Sequence, residues 1–141
     1  MHKREDLARE YRELHGLTHA LSACVAQAGP DAEEVDRLRW ALTRDLAMHL
    51  IKEDRLVYPR MDANAERTPS MLARDFAREM SILVDAFRDY VVSWPQARIQ
   101  GEWKAFGKAT TALMADLRKH IDRQQSALYP VVPLEDQSGV A

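Results

Sequence analysis

Cysteine, glycine and long apolar runs are scarce in this chain, and each scarcity excludes something. A single cysteine, Cys24, stands among 141 residues, so no disulfide forms within the chain and no cysteine-rich metal motif exists. The five glycines build no phosphate loop, and Gly16 and Gly29 stand in no such pattern. No window approaches the roughly 18 uncharged apolar residues of a membrane span. A formal net charge of −2 leaves no basic face for nucleic acid. The opening stretch MHKREDLARE holds no apolar core of a secretory leader, and a reducing, cytoplasmic setting is expected. Ser22 and Cys24 have no partners in the pattern that would make either a nucleophile, so serine or cysteine nucleophilic catalysis has little support.

What is present is helical. Apolar residues make up 46% and charged residues 30%, a balance that gives one soluble domain a core. No segment alternates with period two. The first helix is expected over about Lys3 to Ala28, with Leu7, Tyr11, Leu14, Leu21 and Val25 on its stripe, and Gly29-Pro30 ending it. Asp31, with Glu34 three residues on, caps the second, which runs to about Tyr58 behind Val35, Leu38, Leu42, Leu46, His49, Glu53 and Leu56. Thr68-Pro69 starts the third, whose stripe is Leu72, Phe76, Met80, Leu83, Phe87, Tyr90 and Trp94. The fourth begins between Gln96 and Glu102 and carries Trp103, Phe106, Leu113, Leu117, His120, Gln124 and Leu128 as far as Pro130. Short joins make neighbours antiparallel, so the expected fold is an all-α, up-down-up-down four-helix bundle over residues 1–130. Residues 131–141 read as an extended or disordered tail.

One phrase occurs twice. Residues 49–59 read HLIKEDRLVYP and residues 120–130 read HIDRQQSALYP. Each opens on a histidine, sets a carboxylate or amide four residues later, and closes on Tyr-Pro. Residues four apart share a helix face, and on the wheel Glu53 lies about 40° from His49, in the middle of the apolar stripe. A carboxylate there needs a partner, since burying it alone is costly. A metal, a histidine or an arginine could serve. Imidazole with carboxylate suits iron, zinc or manganese, while a hydrogen-bonded core is the plainer alternative. Trp40 lies about 180° from His49, an outward tryptophan of the kind that marks a homodimer or another protein contact.

The HxxxED…LVYP and HIxxQQxxLYP segments, in this order, resemble the second and fourth helices of the hemerythrin-like, HHE cation-binding domains. The resemblance covers about Ala8 to Pro130. It implies a four-helix bundle around a non-haem diiron centre, with histidines from all four helices and two bridging carboxylates. Carried over, it assigns His15 on the first helix, with His19 a less natural fit, then His49 and Glu53 on the second and His120 on the fourth. The second bridging position falls on Gln124. The third helix, where the family shows Glu-His, reads Glu79-Met80, and a further histidine position falls on Val84. Gln124, Met80 and Val84 argue against a standard diiron pair. His15, His49, Glu53 and His120, with Glu79, remain to hold one iron, zinc or manganese ion, or none. The resulting expectation is an altered or vestigial metal site used in sensing or binding rather than oxygen transport. A metal-free interaction bundle and an oxygen-reactive diiron protein with unusual ligands are the alternatives.

Overall fold

The structure, a computed structural model, describes residues 4–57, 59 and 67–132. Helix α1 spans Arg4–Val25, α2 Ala32–Lys52, α3 Arg67–Ser93, α4 Gln96–Gly101 and α5 Trp103–Arg123. Two of them do not stop cleanly. The backbone of α2 widens into a π turn at Glu53–Val57, and that of α5 into another at Gln124–Leu128 followed by a 3-10 turn at Tyr129–Val131.

Cross-helix bonds fix the directions. Arg4 at the start of α1 donates to the carbonyls of Tyr129 and Val132, each at 2.6 Å. Beyond the far end of α1, Trp103 Nε1 donates to the Gln27 carbonyl at 3.0 Å, so α1 and α5 run antiparallel. An ion pair between Glu10 and Lys52 does the same for α1 and α2. Tyr90 and Thr110 share a hydrogen bond of 2.7 Å, and Arg123 reaches Glu79 at 2.7 Å, which sets α3 antiparallel to α5. The expected bundle of four long helices is therefore found.

Local chemistry explains the helix ends. Asp31 caps α2 as expected, its carboxylate accepting from the Glu34 amide at 3.2 Å. Helix α3 is described from Arg67, with Pro69 in its first turn. A proline is tolerated there because the first amides of a helix have no intrahelical acceptor. Pro95 ends α3, for a residue before proline is held out of the helical region. Pro95 then begins the short α4. The chain breaks helical geometry at Glu102, with φ −132° and ψ 45°, before α5. The fourth bundle helix is thus preceded by a separate short helix. The expected join before Arg67 lies mostly outside the described residues, as do Tyr58 and residues 133–141. Val131 belongs to the 3-10 turn and Val132 is fully buried, so the packed body continues past Pro130.

The core has two parts. The larger joins Leu14, Leu21, Leu38, Leu42, Leu46, Met80, Phe87, Phe106, Met114 and Leu117. The smaller joins Leu7, Val57, Phe76, Leu128, Tyr129 and Val132. Each fully buried large side chain contributes about 1.5–3 kcal/mol. Gly107 lets α1 and α5 close on one another, since a Cβ there would stand 3.3 Å from the Val25 carbonyl. Along α2 the order is Leu46, His49, Glu53, Val57. Along α5 it is Leu117, His120, Gln124, Leu128. The four polar residues therefore fall between the two apolar clusters, and all four are buried. Trp40 is 72% exposed, on the outer face as expected. Among the described residues no helix is long and apolar enough to cross a membrane.

Candidate metal centre

The two π turns begin at the residues that matter, Glu53 and Gln124. Such turns shift the side-chain phase of a helix locally and recur at functional sites. Here they hold Glu53 and Gln124 face to face. Gln124 Nε2 donates to Glu53 Oε1 at 2.6 Å. The His49 Nε2–H donates to Gln124 Oε1 at 3.0 Å and also meets the Glu53 carboxylate. The Tyr129 hydroxyl closes the group, 3.3 Å from Gln124 Oε1, 3.4 Å from Glu53 Oε1 and 3.4 Å from His49 Nε2. Burial by itself would push the His49 imidazole down. The Glu53 charge, backed by Glu10 and Gln124, outweighs it and holds His49 up at about 10. In this arrangement a proton sits where a cation would.

His120 is placed differently. Its Nδ1 lies 2.8 Å from Glu79 Oε1, and Arg123 grips both oxygens of Glu79 at 2.8 and 2.7 Å. Burial would raise the Glu79 pKa, yet the bonds to His120 and Arg123 lower it, so Glu79 is an ionised acceptor. Burial lowers the His120 pKa despite Glu79. The ring is therefore neutral with its proton on Nδ1, and Nε2 carries a lone pair. That Nε2 is buried and makes no hydrogen bond. It lies near enough to the centre for the charges of Glu53 and His49 to act on it. Phe76 packs edge-on against the same ring, with centroids 5.5 Å apart.

Of the residues singled out in the sequence, the structure brings His49, Glu53 and Gln124 into direct contact and sets His120 beside them. Glu79 does not enter the centre. It stands behind His120, where carboxylates orient and polarise metal-binding imidazoles. His15 does not join them. Leu14 and Thr18 take the buried face of α1, and His15 turns outward to Asp122, Nε2 to Oδ1 at 3.4 Å, with the His19 ring 4.6 Å away. The first helix supplies Glu10 instead, whose Oε2 lies 4.0 Å from His49 Nδ1. Sequence reasoning passed over Glu10 because a glutamate flanking an apolar stripe is ordinary. Its only signal was its place four residues before Leu14, on the same face. Tyr129 was visible as part of the repeated Tyr-Pro, without a role.

Two cations do not fit this donor set. Gln124 brings no charge to a bridging position, and Met80 and Val84 are packed into the apolar core. The side chains left for a single cation are His49, Glu53 and His120, of which His49 and Glu53 touch and His120 Nε2 is buried without a hydrogen bond. As they stand, no three His, Cys, Asp or Glu among the described residues are grouped as around a metal ion. The Gln124 amide bonds both His49 and Glu53, which also touch each other, and His120 Nε2 bonds to none of them.

The family model for the hemerythrin HHE cation binding domain matches residues 2–132. No curated protein gives a significant match, and neither does any solved structure. The helix order, the antiparallel packing and the buried polar centre agree with that match, and the chain belongs to the hemerythrin HHE cation-binding domain family.

Proposed function

We propose that this domain binds a single divalent transition-metal cation, iron, zinc or manganese, and reports its presence rather than carrying oxygen. The observation that carries the reading is His120 Nε2, a buried lone pair without a hydrogen bond, on a ring whose other nitrogen is locked by Glu79. A neutral imidazole held in that way is prepared to ligate. His49 Nε2 and Glu53 would complete the set, with the Gln124 carbonyl oxygen and the Tyr129 hydroxyl as neutral neighbours. The cation would supply positive charge to a centre that otherwise holds a proton on His49.

Sensing follows from the clasp. Gln124 must release Glu53 and His49 before both can turn to one ion, and Gln124 opens the π turn that leads to Tyr129 and Val132. Occupancy is thereby coupled to the end of α5, where Arg4 of α1 is also tied. The closed His49–Gln124–Glu53–Tyr129 network supports a second reading, a metal-free bundle working through protein contacts, because these side chains bond one another without an ion.

The test is metal content. Protein purified without chelator, then offered anaerobic Fe(II), Zn(II) or Mn(II), should retain about one ion per chain by elemental analysis, and His120→Ala should lose it. No metal retained under any of these conditions leaves the metal-free bundle. Two irons per chain would instead mean a rebuilt pair.

A further inference from the structure

Tyrosine hydroxyls are held in two different ways among the described residues. Tyr11 donates to Asp122 at 2.7 Å, and Tyr90 shares a bond of 2.7 Å with Thr110. Both are ordinary hydroxyl hydrogen bonds. Tyr129 stands instead 3.3 Å from Gln124 Oε1 and 3.4 Å from both Glu53 Oε1 and His49 Nε2. The two oxygen distances exceed the usual length of an O–H···O bond. The hydroxyl thus lies at nearly equal range from three polar atoms and is bonded tightly to none of these three. Ligands of one ion are spaced in this way, since atoms about 2.0–2.1 Å from a tetrahedral cation lie about 3.3–3.4 Å from one another. Tyr129 is buried, as are Glu53, Gln124 and His49.

Charge points the same way. Glu79 is held by Arg123, and Glu10 by Lys52, so Glu53 is the carboxylate left to face an ion. His49, His120 and Gln124 bring no negative charge. A dication balanced by Glu53 alone would leave a net positive charge in a buried centre, which is costly. We propose that Tyr129 is a further ligand of the cation, its oxygen bonding the ion while the hydroxyl proton passes to solvent. The inference rests on the single-cation reading and adds a ligand to it. Tyr129 is a neutral neighbour before the ion binds and an anion afterwards, and with Glu53 it matches the two positive charges.

The experiment loads the full chain with Fe(II) without oxygen, passes one electron from each iron to ferricyanide, and records the visible spectrum beside the iron content. A tyrosine oxygen bound to Fe(III) gives an intense visible charge-transfer band that imidazole and carboxylate ligands do not. The unaltered protein should show that band. Tyr129→Phe should retain iron and lose the band, whereas Tyr11→Phe, Tyr58→Phe and Tyr90→Phe should each keep it. The chain has four tyrosines, so the last three variants assign the band to Tyr129 even where Tyr129→Phe fails to fold or to hold iron. Iron bound without the band would overturn the ligand and leave the single-cation reading standing. A band that survives Tyr129→Phe, or that is lost in one of the other three variants, would do the same. No iron held by the unaltered protein would overturn the single-cation reading and this inference with it.

Discussion

The two copies of the His-to-Tyr-Pro phrase share a π turn four residues after the histidine and yet hold their histidines in opposite ways. In the first copy, His49 is drawn inward by Glu53 and Gln124, while its outer nitrogen faces a cavity and a distant Glu10. In the second, His120 is fixed from outside by Glu79 and Arg123, and its inner nitrogen is left without a bond. Of their eight differences, the one that falls inside the centre is a glutamate in the first at the place of a glutamine in the second. Gln124 can both donate and accept, so it bonds Glu53 and His49 together and leaves His120 out. A short motif therefore specifies backbone shape and burial, and the neighbouring helices decide what each histidine does.

The sharpest way to break the comparison is to remove the charge that the first copy depends on. Glu53→Ala leaves the buried His49 imidazolium and the Gln124 amide without their acceptor, and should cost about 3–5 kcal/mol in urea unfolding. Gln124→Ala removes an uncharged side chain and leaves its two charged partners, Glu53 and His49, still paired with each other, and should cost about 1–3 kcal/mol. Equal losses would show that His49 does not rely on Glu53.

The comparison can also be abolished by making the copies alike. Gln124→Glu places a second carboxylate against Glu53, where like charges oppose one another. The metal-free protein should unfold at lower urea than the unaltered chain and regain stability on anaerobic Fe(II) addition, with iron content rising above one per chain. A variant that holds no more metal than the original would sink the view that this one amide limits the site.

A smaller effect separates the supports behind the two rings. Glu79→Gln should weaken cation binding by about 10–100-fold in a calorimetric titration, the range found when the partner of a ligating histidine is lost. Glu10→Gln should weaken it less, since Glu10 stands 4.0 Å from His49 whereas Glu79 is 2.8 Å from His120. The reverse order would mean that Glu10 is the principal support.

The smallest effect belongs to His15. Its contacts are with Asp122, Tyr11 and His19 at a partly exposed face. His15→Ala should change stability by no more than about 0.5 kcal/mol and leave metal content unaltered. A loss of metal in this variant would return His15 to the centre.

Much of the fold was legible beforehand. The stripes through Leu38, Leu42 and Leu46 and through Phe106 and Leu117 are buried where helical spacing put them. The Asp31 cap formed as its chemistry required. The burial of His49, Glu53, His120 and Gln124 also followed from their position on those stripes. The separate short helix before Glu102 was not legible: Gly101 weakens a helix at that point, but helical spacing set only a range, Gln96 to Glu102, for the start of the fourth helix. Which way His15 points was not legible for a related reason. It sits on the shoulder of its stripe, and a shoulder residue points inward or outward according to the helix packed beside it.

By itself, then, the amino-acid order determined the helices, their antiparallel succession and the four polar residues enclosed among apolar ones. Periodicity and end signals act within a few residues and can be read along the chain. Only the tertiary structure decided which nitrogen of each histidine is bonded, that Glu79 stands behind His120, and that Glu10 rather than His15 comes from α1 toward the centre. Those outcomes depend on the rotation and depth at which separate helices meet. The partners lie 41 residues apart for Glu79 and His120 and 75 for His49 and Gln124, and no local rule reaches that far.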